Sequence, residues 1–156
     1  MSLLFPAFRL IGCIILCLAA GLAGTLISDT GNSDWYRQLA KPSFNPPAWI
    51  FAPVWTVLYV LMGMALFLMA QQWPRSRFAI AFFVTQLILN ALWTPVFFGM
   101  HKPWGALLVI VLLWGTILAT LLLARQFSLA AAWLLAPYLA WASFASVLNF
   151  AIAKLN

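Results

Sequence analysis

Charged side chains interrupt this sequence at only six points, and that spacing restricts the fold more than any motif does. The points are Arg9, the segment from Asp29 to Lys41, the pair Arg75 and Arg77, Lys102, Arg125 and Lys154. Between them lie five apolar stretches, each long enough for the roughly 20 residues a helix needs to cross a bilayer. Hydrocarbon offers no partner for backbone N–H and C=O groups, so such stretches satisfy themselves as α-helices. Of the 156 residues 66% are hydrophobic and 6% charged, against about a quarter charged in soluble domains. The fold class that follows is an all-α membrane protein, a five-transmembrane-helix bundle forming a single domain over 1–156.

The spans are expected at roughly 5–27, 46–72, 77–98, 103–125 and 129–153, with one long loop at 29–45. The first stretch has features of a secretory leader, and Leu10-Ile11-Gly12-Cys13 resembles a lipoprotein cleavage box. Arg9 directly before that box leaves no apolar core of the required length, and the apolar run continues to Ile27, so a retained helix is expected. Its Ala20, Gly24 and Ser28, with Gly21 and Thr25 beside them, permit close helix approach, and packing inside the bundle is favoured over a dimer seam. Asn45 is expected to cap the second span, with Pro46 and Pro47 in its first turn. Very short turns further along imply that sequential helices are antiparallel neighbours. The positive-inside rule gives no orientation: Arg9, Arg75, Arg77 and Arg125 fall on one side, and Arg37, Lys41, Lys102 and Lys154 on the other.

The formal net charge is +6, yet a nucleic-acid binder gathers basic residues on one wettable face. Here they sit at helix ends, where they snorkel to headgroups, so membrane lipid and not nucleic acid is the expected partner. Ion-coupled transporters and proton pumps use carboxylates, His or Lys within the membrane. All the charged residues here fall in loops or near helix ends, which argues against a proton-coupled exporter or a retinal-binding photoreceptor. His101, the single histidine, has no nearby carboxylate or thiol in sequence, so no metal site is expected. Cys13 and Cys17 stand one turn apart in an apolar span and read as packing residues. Without dedicated acids, bases or metal ligands, ordinary hydrolytic or redox catalysis is not expected.

Nine tryptophans remain to be explained. Interfacial anchoring accounts for Trp73 and Trp104, but Trp55, Trp93 and Trp141 fall a turn or more inside their spans. Gln86, Asn90 and Trp93 follow at i, i+4 and i+7, with Thr94 adjoining. Trp141, Ala145 and Asn149 share one side of the fifth span, and Trp55, Tyr59 and Gly63 one side of the second. An Asn within the membrane faces other helices or a cavity, and a plain interhelical hydrogen bond is the default for Asn90 or Asn149 taken singly. Three tryptophan-bearing faces together point to a cavity for a large, flat, apolar ligand such as a tetrapyrrole or a fused-ring sterol. Pro53, Pro95 and Pro137 are expected to kink their helices and free a carbonyl each.

Three segments carry a resemblance to a known family. They are Trp35-Tyr36 with Leu39 and Lys41-Pro42-Ser43-Phe44-Asn45-Pro46-Pro47-Ala48-Trp49, continuing to Pro53-Val54-Trp55-Thr56; Gln86 to Asn90 with Trp93-Thr94-Pro95-Val96-Phe97-Phe98-Gly99; and Pro137-Tyr138-Leu139-Ala140-Trp141 with Leu148-Asn149. The chain resembles the translocator protein or tryptophan-rich sensory protein family, also called peripheral-type benzodiazepine receptors. The resemblance implies a homodimeric five-helix bundle in a bacterial or mitochondrial membrane. It implies a pocket under the first loop that binds porphyrins such as protoporphyrin IX or haem, as ligand and not as cofactor, for sensing, buffering or transport. Isoquinoline- and benzodiazepine-type drugs are further implied ligands. The implied pocket residues are Trp35, Tyr36, Trp49, Trp55, Asn90, Trp93, Trp141 and Ala145. Trp55 and Trp141 would be catalytic if the light-dependent porphyrin breakdown associated with the family operates here.

Two departures matter. The family's cholesterol motif expects a tyrosine where Leu148, Phe150 and Lys154 supply none, which argues against cholesterol; the motif is weak even when complete. Ala79-Ile80-Ala81-Phe82-Phe83 offers no clear small-residue seam for a dimer. A different class of function, a bundle that only recruits partner proteins, would need no amide and indole on one inward face.

Overall fold

The structure, a computed structural model, describes residues 4–26 and 34–156. Five helices are long and apolar enough to span a membrane: α1 (Leu4–Leu26), α3 (Phe51–Ala70), α4 (Arg77–Thr94), α5 (Pro103–Ala124) and α6 (Leu129–Leu155). A short helix, α2 (Asp34–Gln38), lies in the first loop, where the sequence reading had placed no element. No strand occurs among the described residues. The protein is a multi-pass integral membrane protein. Ile27, Ser28 and Asp29 lie outside the described residues.

The helices form a closed ring in the order α1, α3, α6, α5, α4 and back to α1. Consecutive helices are therefore not always neighbours, contrary to the expectation from short turns: α3 and α4 make little contact, and α1 packs against both. Glycine explains how α1 gets so close. A Cβ on Gly63 of α3 would stand 2.5 Å from the Ile14 Cα, and one on Gly24 of α1 would stand 3.2 Å from the Ala91 carbonyl oxygen of α4. Between helices in lipid the packing itself drives association, so these two contacts seat α1 in the ring. The small residues of α1 thus serve internal packing. Gly21 belongs to the same seam, lying directly against the Tyr59 ring.

Several helix ends differ from the sequence reading. Asn45 does not cap α3; its Nδ2 donates to the Pro46 carbonyl at 3.2 Å. A tight turn at Ala48–Ile50 precedes the first α-helical turn, so the helix begins later than Pro46. Pro53 consequently falls in the first turn of α3, where amides have no intrahelical acceptor, and breaks no bond within that helix. Pro95 acts differently. Beyond it the end of α4 widens, with Met100 N–H donating to the Pro95 carbonyl at 2.8 Å and Lys102 N–H to that of Val96 at 3.2 Å. Such wide turns are rare and recur at functional sites. Pro137 lies inside α6, whose start is capped by Ser128 Oγ accepting from Ala131 N–H at 3.3 Å.

The ring is unevenly filled. Away from the first loop, Met62, Met69, Phe83, Ile117 and Leu135 are fully buried and close the interior. Towards the loop the helices carry indoles, phenyl rings and amides, and the interior is hollow.

Candidate functional site

The hollow is a chamber of about 700 Å³, inside the range of roughly 300–1,000 Å³ usual for small-molecule sites. Its floor is a polar bridge across three helices. Tyr59 Oη donates to Asn90 Oδ1, and Asn90 Nδ2 donates to Tyr138 Oη at 2.9 Å. A second bridge stiffens one wall: Trp93 Nε1–H donates to Asn149 Oδ1 at 3.0 Å, and Asn149 Nδ2 to the Pro103 carbonyl at 2.9 Å. Both asparagines are therefore interhelical ties that also face the chamber.

Eight aromatic rings line the chamber. Trp93 stacks on Phe97 with centroids 5.1 Å apart, and Phe98 meets both edge-on. Trp55 stacks on Tyr59 at 5.5 Å and meets Tyr138 edge-on. Trp141 meets the Phe51 ring edge-on at 5.9 Å; its Nε1–H is buried with no acceptor.

The first loop roofs the chamber through α2. Tyr36 packs edge-on against Phe98 at 5.2 Å. Lys41 Nζ donates to the carbonyls of Tyr36 (2.6 Å), Leu39 (3.3 Å) and Arg37 (3.4 Å), so it closes the C-terminal end of α2, where helix carbonyls lack amide donors. Its charge also lies 4.5 Å from the Tyr36 ring centre. Asn156 grips the same segment from α6, accepting from Ala40 N–H at 3.0 Å and donating to its carbonyl at 3.1 Å. Outside the roof, Trp35 stacks on His101 at 4.4 Å, and His101 holds φ of 54°, a region few non-glycine residues occupy. Burial raises the Tyr36 hydroxyl pKa above its ordinary value, opposed in part by the adjacent Asn45 side chain.

Of the residues named from sequence, Tyr36, Trp55, Asn90, Trp93, Trp141 and Ala145 line the chamber together. Trp35 does not; it packs on the far side of Phe97, 5.7 Å between rings. Trp49 does not either, being 73% exposed on the tight turn before α3. The prolines that delay α3 rotate Trp49 outward, a shift that sequence spacing did not reveal. Lys41, Asn45 and Phe97 line the chamber without having been named as site residues. Phe97, one turn beyond Trp93, was a legible signal; the inward turn of Lys41 depends on the fold of α2. Among the described residues no three His, Cys, Asp or Glu side chains gather to ligate a metal.

The sequence model of the TspO/MBR family matches residues 13–155. The chain belongs to the TspO/MBR family. It is 46% identical to the tryptophan-rich protein TspO of Chlorobaculum tepidum over 147 residues, covering 92% of this chain and 93% of the relative. It is 42% identical to the tryptophan-rich sensory protein of Cereibacter sphaeroides over 140 residues, 90% and 86% of the two chains. The translocator protein of Ovis aries is 35% identical over 149 residues, 93% and 88%. TspO/MBR membership and the five-helix ring thus agree on a membrane protein with tryptophan-rich helices.

Proposed function

We propose that this TspO/MBR protein is a membrane receptor or carrier for tetrapyrroles such as protoporphyrin IX or haem, held in the aromatic chamber for sensing, buffering or transport. The observation that carries the reading is the chamber itself, about 700 Å³ bounded by Trp55, Trp93 and Trp141 from three helices. Flat apolar macrocycles gain from stacking against such rings. Lys41 is the one charged residue among the described residues lining it, and a tetrapyrrole carries its carboxylates at one edge. That pairing orients the ligand with its acidic edge at the roof and its ring among the indoles. Isoquinoline- and benzodiazepine-type compounds are proposed as competitors for the same space.

The test is a titration of purified protein with protoporphyrin IX in the dark, following tryptophan quenching against empty micelles. Saturable one-site binding is expected. Trp55→Phe and Trp141→Phe should each weaken it about two- to tenfold, the loss of roughly 0.5–1.5 kcal/mol of aromatic contact. Quenching identical to that of empty micelles in every case would sink the reading.

A second reading is light-dependent breakdown of the bound porphyrin, favoured by one observation: Trp55 and Trp141, both oxidisable indoles, line the chamber. At saturating porphyrin under light and oxygen, wild type should then yield product and the two Phe variants should not.

A further inference from the structure

We propose that hydrophobic ligands reach the chamber sideways from the bilayer core, between α3 and α6, and that the indole of Trp141 is the gate. This rests on the chamber being the ligand site.

A second void of about 600 Å³ opens on the outer face of the bundle between these two helices. Val54, Val57 and Leu61 of α3 and Pro137 and Ala140 of α6 form its walls, and they belong to segments built to span the membrane. Its occupant in a bilayer is whatever the hydrocarbon holds, including dissolved ligand. Of the residues lining this groove, Trp141 alone also lines the chamber. The helix repeat explains the overlap. Residues 137, 140 and 144 face the groove while 145, 148 and 149 face the chamber, and Trp141 stands on the boundary. At that point the same indole borders both the chamber and the groove.

Two features weaken the hold on that indole, which otherwise rests on ring contacts with Phe51 and Phe144. Trp93 and Trp114 are tied by their N–H groups to Asn149 and Ser143, whereas the Trp141 N–H is buried with no acceptor. An unpaired donor in an apolar setting raises the energy of the closed position, and a ligand oxygen entering beside it would supply the missing partner. Pro137, one turn earlier, provides no amide for the Trp133 carbonyl, so α6 is weakest just below the gate. Meanwhile the roof is latched to the rest of the molecule by Asn156 and by the Trp35–His101 stack. A bilayer-soluble ligand gains nothing by leaving lipid for water and then lifting that roof.

The experiment fills the groove without touching the chamber. Val57→Trp and, separately, Ala140→Trp are compared with wild type and with Leu108→Trp, a lipid-facing change on α5 at a residue already 63% exposed. Each protein is reconstituted in liposomes and loaded with protoporphyrin IX in the dark. It is then mixed with excess protein-free liposomes while tryptophan fluorescence recovers. Transfer between protein-free liposomes, measured in parallel, sets the upper limit of rate. The expected result is release and uptake slowed about tenfold or more in both groove variants, with half-saturation unchanged, because a narrowed path slows both directions equally. Leu108→Trp should exchange like wild type. Wild-type rates in both groove variants would overturn the gate while leaving the chamber reading intact. Loss of saturable binding in both, with helicity retained, would also overturn it, since the groove would then be shaping the site. Absence of saturable binding in wild type would remove the chamber reading and this inference with it.

Discussion

An amide in the bilayer interior has no water to turn to, and Asn90 shows what one such side chain can organise. It accepts from Tyr59 and donates to Tyr138, joining α3, α4 and α6 in one polar tie. Asn90→Leu keeps the volume but strands two buried hydroxyls, at a cost of about 1–3 kcal/mol for each unsatisfied group. Unfolding of the detergent-solubilised variant by SDS, followed by circular dichroism, should show that loss, and an unchanged midpoint would mean the tie is not structural. Gln86, one turn earlier and fully buried, has both amide atoms unpartnered. Tyr36 supplies a pH dependence. Burial raises its pKa in the folded state, so the stability it contributes is fully present below its unfolded pKa of about 10 and is lost as pH rises through the folded value. Wild type should therefore loosen its roof in the alkaline range, and Tyr36→Phe should abolish that component; a Phe variant with the same alkaline profile would assign the transition elsewhere.

Among the elements, α1 depends on contacts too close for any side chain. Gly63→Ala would place a Cβ 2.5 Å from the Ile14 backbone, forcing α1 and α3 apart at a cost of about 1–3 kcal/mol for overpacking. A lowered thermal midpoint with the helical signal retained below it is expected. The short helix α2 has no fully buried residue and too few turns to be stable alone, so it holds its place through Asn156 and through the ring contacts of Trp35 and Tyr36. Asn156→Ala removes both bonds to Ala40. Amide hydrogen exchange over residues 34–45 should then accelerate, while α3 to α6 stay protected; equal protection would show that ring packing against Phe97 and Phe98 suffices.

For the whole molecule, a ring with one solid end and one hollow end puts its least supported region beside the roof. A ligand that fills the hollow adds contacts the empty protein lacks. Protoporphyrin IX at a hundredfold excess over its dissociation constant should stabilise the fold by about 2.7 kcal/mol, seen as a raised thermal midpoint. The same addition to Trp93→Ala, which loses a wall ring and leaves Asn149 Oδ1 without its donor, should give a smaller shift.

The spacing of charge and hydropathy alone determined that five helices cross a membrane, because hydrocarbon tolerates neither unpaired backbone nor isolated charge. The positions of Trp55, Asn90, Trp93, Trp141 and Ala145 on inward faces were legible for a related reason: helical periodicity fixes which residues share a side. Periodicity does not say which helices are neighbours. Only the packing of Gly63 on Ile14 and of Gly24 on Ala91 decided that α1 separates α3 from α4, since contacts between residues far apart in sequence leave no local signal. Nor could spacing settle the loop, where Trp49 faces outward on the turn before α3 and two hydrogen bonds from Asn156 hold Ala40. The double exposure of Trp141, to the chamber on one side and the lipid groove on the other, likewise exists only once α3 and α6 lie side by side.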